Sequence, residues 1–211
     1  MITLDVEFLT DDTIRTIVKQ FCSRMGINSI PVPIDAIIER ALRIDIIPIP
    51  GLQKAFEIEG FITSDFTSIY MDDYLFDKKY YYRYRFTLAH EIGHFALHKK
   101  YFDQYVFHSL EEWKTFLAEL DPRDHSKMEY QSYVFAGLVL VPPNNLADLY
   151  NSKLSETVSL IDQAKRKGIA RSDYLEYTIE HLANSLSSSF EVSIDVLKRR
   201  IKADHLDELV P

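Results

Sequence analysis

The sequence predicts an α+β fold, with a small antiparallel or mixed sheet set among helices. Three observations predict it. Apolar residues recur at helical spacing on both sides of a short central stretch. That stretch, between Ile44 and Met71, is rich in β-branched residues and turn signals. The last third reads as helix with one break. Helices, then strands, then helices is the order of an α+β chain.

The elements follow in order. Asp11-Asp12-Thr13 has the residues of a helix start; Ile14, Ile17, Val18, Phe21 and Met25 keep helical spacing, and Gly26 sits where a C-cap belongs. Pro31 and Pro33 break the chain before a short helix over Ile34 to Ala41. Ile44 to Ile49 reads as a strand ending at Pro50-Gly51, with Pro48 marking an edge. Phe56 to Thr63 and Ser68 to Met71 read as two further strands, followed by a polar, turn-like stretch to about Lys79. Arg83 to His98 is expected to be helical, as are Ser109 to Leu120, ended by Asp121-Pro122, and Met128 to Leu140, stopped by Pro142-Pro143. From about Ser155 the chain is helical, with Gly168 as a break, and Ser193 is placed to cap the last helix, where Val196, Leu197, Arg200 and Ile201 follow. The strand Thr67 to Asp72, shortly before the Arg83 helix, is either an ordinary sheet strand or an edge that pairs with an extended peptide.

Composition excludes several classes. A formal net charge of -8 makes phosphate-driven, nonspecific nucleic-acid binding a poor fit. Cys22 is the only cysteine, so neither an intramolecular disulfide nor a Cys-rich metal site is available, which fits a reducing cytosol. The first residues lack the basic start of a signal peptide, and the uncharged stretch Tyr130 to Ala147 is too broken by prolines and amides to span a bilayer. These points lead to the expectation of a cytoplasmic protein. Neither GxGxxG nor GxxxxGK[ST] occurs among the few glycines.

The segment from Arg85 to His98, RFTLAHEIGHFALH, carries HExxH. Histidines four apart lie on one helix face, so His90 and His94 can reach one metal ion. Zn2+ suits two imidazoles and a carboxylate, with a fourth position left for water, and Glu91 beside them is placed to take that water's proton. Leu88, Ala89, Ile92, Phe95 and Ala96 form an apolar stripe, and no Lys, Arg or Asp interrupts Phe86 to Leu97. A surface helix would carry them. This helix therefore reads as buried, with its ionisable groups clustered. The bland alternative is a core helix with two hydrogen-bonded histidines.

Glu129 is the candidate third ligand. It opens a stretch with no other charge before Pro142, and Ser132, Ala136 and Gly137 would let that helix approach the first closely. The alternative is an acid that merely favours the helix dipole. His98 lies a further turn along than a tetrahedral ion allows, which points to a supporting role. His108 and His125, between the two motifs, are candidates to stabilise an oxyanion, and Tyr130 and Tyr133 are others.

The pair of motifs, HEIGHFALH and the later E-x-x-x-x-x-F-A-x-x-V-L-V-P, resembles the ImmA/IrrE metallopeptidases, well over residues 30–142 and loosely beyond. Two departures are Val139-Leu140-Val141-Pro142, where the family has a sequence close to LLMP, and Tyr133, where an Asn is common. The resemblance implies a zincin-like metallopeptidase domain over residues 1–150 and a helical, helix-turn-helix-like region over 151–211. It implies Zn2+ held by His90, His94 and Glu129, with Glu91 as catalytic base. It also implies a partner transcriptional repressor with a helix-turn-helix domain as the protein substrate. The C-terminal helix has a basic run, Lys198, Arg199, Arg200 and Lys202, which in an acidic chain suits packing or docking better than DNA. The rival readings are a zincin fold that binds a partner without cutting it, and a DNA-binding regulator.

Overall fold

The computed structural model describes residues 1–103, 105, 107 and 110–211. They form two compact units, Met1–Asn28 with Pro33–Val139, and Ser29–Val32 with Leu140–Pro211. The division lies at 139/140, and the helix Pro143–Arg166 runs through position 150 without a break.

The first unit opens with α1 (Asp11–Arg24), capped by Thr10, whose side chain accepts the Thr13 N–H. Its apolar spacing is used as expected, since Ile14, Val18 and Phe21 are buried. Gly26 follows at φ +64°, a backbone state that glycine adopts without a Cβ penalty. The short helix α2 (Ile34–Ala36) continues as a π turn through Leu42. Strand β1 (Asp45–Ile49) comes next, then a helix absent from the sequence reading, α3 (Leu52–Phe56). The expected strand Phe56 to Thr63 contracts to β2 (Gly60–Ile62), because residues 52–56 close helical turns on the buried Leu52. Strand β3 (Ser68–Asp72) completes the sheet.

The sheet is mixed, in the order β1-β3-β2. Strands β1 and β3 run parallel in the register Asp45↔Ser68 to Ile49↔Asp72; β2 runs antiparallel to β3, with Gly60↔Met71 and Ile62↔Ile69. Pro48 therefore does sit on an edge strand. Strand β3 is central, however, with both sides hydrogen-bonded, so it cannot take a further strand; β1 and β2 are the edges.

Against this sheet lies α4 (Tyr81–Phe102), reached through two 3-10 turns at 73–76 and 78–80. Burial extends around the helix, from Leu88, Ala89 and Ile92 to Glu91, His94 and His98. Phe95 and Ala96, expected in its apolar stripe, are only half-buried. The next helices are α5 (Leu110–Glu119) and α6 (Pro122–Leu140). Helix α6 begins well before the expected Met128. Asp121 accepts the Arg123 N–H at 2.8 Å in the manner of an N-cap, and Pro122 occupies the first turn, where its missing N–H costs nothing. Read locally, the charged residues of that first turn resemble a loop.

The second unit is helical: α7 (Pro143–Arg166), α8 (Arg171–Phe190) and α9 (Ile194–Ala203). Gly168, at φ +73°, separates the first two, and Ser193 caps α9 by accepting the Val196 N–H, as expected. Lys198 bonds Glu176 and Glu180 of α8, Lys202 bonds Glu176, and the buried Arg200 pairs with Asp204. Much of the basic run is thus bound within the unit. No helix among the described residues is long and apolar enough to cross a membrane.

Candidate metal centre

Helices α4 and α6 meet at their smallest residues. A Cβ on Gly93 would lie 2.8 Å from Ser132 Cα and 3.0 Å from Ser132 Cβ, so only glycine permits this approach. Gly93 adjoins His94, and Ser132 follows Glu129 by about one turn. The close contact therefore brings Glu129 over the two histidines.

His90 Nε2 and His94 Nε2 lie 3.2 Å apart. Glu129 Oε2 is 3.3 Å from the first and Oε1 3.4 Å from the second. One donor atom from each residue lies within 4.8 Å of the others. Three donors around a tetrahedral zinc, each about 2.0–2.1 Å from it, stand about 3.3 Å from one another. The imidazole pair matches that edge, each imidazole stands about that far from one of the two Glu129 oxygens, and two imidazoles with one carboxylate are the donor set of a catalytic zinc site with a position left open. The residues fit the ion.

Glu91, 6% exposed, turns its carboxylate toward β2, where Oε2 accepts the Ile62 N–H at 3.0 Å. Burial raises its pKa against the opposing pull of the two imidazoles. Glu129 is held well below the usual carboxylate range: burial alone would raise it, but the two imidazoles beside it outweigh that. Burial likewise opposes charge on His90, yet the carboxylates of Glu129 and Glu91 raise its pKa overall. The centre is thus a cation-favouring pocket in which two carboxylates face two imidazoles.

His98 is fully buried, and its ring meets His94 and Gln131 rather than the donor cluster. Burial and the neighbouring His94 lower its pKa to about 3, so it is neutral. His125 lies on α6, not in a loop; its Nε2 is 3.6 Å from Glu129 Oε1, and it lines the cleft. Tyr130 is directed elsewhere, donating its hydroxyl to Asp11, and Tyr133 packs on Phe86. His108 lies outside the described residues.

The cleft above the donors measures about 370 Å³. Its floor is His90, Glu91 and His94; one side is edge strand β2 with Glu57 to Glu59, and the other is Trp113 and Leu117 of α5 with Leu120 and Met128. Phe61 stacks near Trp113 across it, with centroids 4.8 Å apart. The segment between the two motifs, Lys99 to Lys127, supplies this wall, and a second segment, Asp72 to Tyr84, does not line the cleft. That second segment is tied to the rim instead, through Tyr74 and Arg83 on Glu59.

Two contributors escaped the sequence reading. Ile62 acts through its backbone and leaves no side-chain signal. Gln131 did leave one: a polar residue on the stripe Met128, Ser132, Phe135, Val139 of α6, all buried, signals a satisfied buried amide.

A family model described as Peptidase_M78, the IrrE N-terminal-like domain, matches residues 75–202. The match takes in both metal-ligand motifs and reaches through α8 into α9, over the region where the motif resemblance is loose, but begins after the sheet. No curated protein matches the chain.

Proposed function

The chain belongs to the IrrE N-terminal-like family of M78 peptidases, and from that premise we propose that it is a zinc-dependent endopeptidase, with Zn2+ held by His90, His94 and Glu129 and with Glu91 as general base. The observation that supports this most is the meeting of three side chains: the two Nε2 atoms lie 3.2 Å apart, and Glu129 sets one oxygen 3.3 Å from His90 and the other 3.4 Å from His94. Zinc bound there would lower the pKa of a coordinated water and polarise the scissile carbonyl.

The protein's own groups supply the remainder. Glu91 keeps Oε2 on the Ile62 N–H and takes the water proton on its other oxygen. Burial, which favours the protonated carboxyl, helps Glu91 retain that proton until the leaving amine receives it. Strand β2 lays out the peptide. In its antiparallel register with β3, residues 60 and 62 turn their backbone groups outward; Glu91 takes the Ile62 N–H, which leaves Gly60 and the Ile62 carbonyl to pair with an extended substrate. His125, one turn before Glu129, is the histidine placed to face a developing oxyanion. The apolar walls suit bulky apolar side chains beside the cut.

The proposed substrate is a helix-turn-helix repressor, cut at one site in the cytoplasm. The internal pairing of Lys198 and Lys202 favours this over the DNA-binding reading. The test is purification of the chain with zinc and incubation with a repressor encoded beside it, with casein in parallel. One zinc per chain, lost in His90→Ala, together with a single cut in the repressor and slow casein digestion, is the expected result. Rapid casein digestion would remove the selectivity, and a partner that is bound but never cut would favour the binding module.

A further inference from the structure

Behind His94 runs a chain of hydrogen bonds that does not include the donor cluster. His94 Nδ1 is 3.2 Å from His98 Nδ1; His98 Nε2 is 2.9 Å from Gln131 Oε1; Gln131 Nε2 donates to the Glu7 carbonyl at 2.8 Å. The polarity of this chain is determined from its far end. A backbone carbonyl only accepts, so it must face the amide NH2 of Gln131, which leaves the amide oxygen toward His98. That oxygen also only accepts, so His98 carries its proton on Nε2. A buried neutral imidazole has one such proton, and Nδ1 of His98 is therefore an acceptor. It accepts from His94 Nδ1, with the Ser132 hydroxyl a longer second donor at 3.5 Å. The proton of His94 is then on Nδ1, and its Nε2, the atom facing His90 and Glu129, is a bare lone pair.

We propose that Gln131 and His98 are positioning residues that hold His94 in its metal-binding tautomer, with the Glu7 carbonyl orienting the Gln131 amide. The inference rests on the metal reading above. A ligating histidine commonly donates its second N–H to a carboxylate or carbonyl; here another imidazole takes that place and passes the polarity to an amide. The opposite tautomer would direct an N–H into the donor cluster and exclude the ion.

Glu7 lies outside the matched residues 75–202, on a segment firmly held to α6 and α4. Asp124 accepts the N–H groups of Leu4, Asp5 and Val6, Lys127 bonds the Val6 carbonyl, and the Glu7 N–H donates to the Tyr101 hydroxyl. The first residues of the chain thereby become part of the support of a metal ligand far away in sequence.

The test uses the full chain and the zinc ion alone. Two-bond 1H–15N correlations on the metal-free wild type should show His94 protonated on Nδ1 and His98 on Nε2. In chelator competition, Gln131→Met, which keeps the length but loses the acceptor, should bind zinc about 10–100-fold more weakly, with His94 divided between tautomers. Gln131→Glu keeps an acceptor toward His98 but loses the N–H that faces the Glu7 carbonyl, and should bind zinc more tightly than Gln131→Met while remaining below the wild type. A wild-type His94 protonated on Nε2 would overturn the proposal, and this readout does not depend on any variant folding. So would Gln131→Met with wild-type affinity and an unchanged tautomer. A wild type that binds no zinc would instead overturn the metal reading, a separate result from the tautomer.

Discussion

At the residue scale, two carboxylates decide different things. Glu91 is asked to move a proton, so Glu91→Gln should keep zinc and fold while repressor cleavage falls by about 10²–10⁴-fold; cleavage at the wild-type rate would end the general-base assignment. The amide oxygen can still accept the Ile62 N–H, which is why the fold should survive. Asp124 is structural. It is buried and receives three backbone N–H groups, so Asp124→Ala should cost about 2–3 kcal/mol in urea unfolding. Burial alone would raise its pKa, but the N–H groups of Leu4 and Val6 and the Lys127 ammonium bring it below the usual range. A depressed folded pKa gives stability that is present above the unfolded value, about 3.9, and is lost as pH falls through the folded one. The wild type should therefore lose more stability than Asp124→Ala below about pH 4. His90, Glu91 and His94 were legible in sequence because their spacing on a charge-free helix is itself the signal. Asp124 was not, because its partners are backbone groups more than a hundred residues away, and the polar place of Gln131 on an apolar stripe signalled burial without naming its partners.

At the element scale, the contact of α4 with α6 is the most sensitive feature. Gly93→Ala places a methyl against the backbone of Ser132, where overpacking costs about 1–3 kcal/mol. Because the same contact sets the height of Glu129 above His90 and His94, zinc affinity should fall together with the melting temperature. Unaltered affinity in a destabilised Gly93→Ala protein would separate the helix contact from the donor triangle. In α7 the opposite holds. Tyr150 is fully buried and its hydroxyl has no hydrogen-bond partner among the described residues, so Tyr150→Phe should leave stability unchanged or raise it by up to about 1 kcal/mol. A clear loss in thermal unfolding would reveal a partner for that hydroxyl. The small residues expected to permit the close approach included Ser132, and it is Ser132 that Gly93 meets. The true start of α6 was hidden, since a capped first turn rich in charge looks like a loop until its acids are seen to be buried.

At the scale of the whole molecule, the C-terminal helices are core as much as surface. Phe190, Val192, Leu197, Ile201, Leu206 and Val210 are all buried, and the last residues accept hydrogen bonds from Arg171 and Tyr174. A chain ended after Ser188 exposes the apolar face of α8 that these residues cover. It should lose helical circular dichroism or become insoluble. A soluble truncation with wild-type melting would show that the tail is dispensable for folding and would reopen it as a docking element. The same burial explains why the basic run is a weak guide to partners: its lysines face the glutamates of α8.

The sequence by itself determined the α+β class, the buried HExxH helix, the second motif with Glu129, and the capped helix at Ser193. Each is local: a period of 3.6, a missing charge, or a cap is visible within a dozen residues. Only the tertiary structure decided that β3 is central and β2 forms the edge along the cleft, since strand order depends on pairing between distant segments. Only the tertiary structure brought Glu129 within 3.4 Å of both imidazoles and joined Glu7 to His94 through Gln131 and His98. Donor atoms and hydrogen-bond partners are matched in space, and residues far apart along the chain leave no record in their spacing of where folding will bring them.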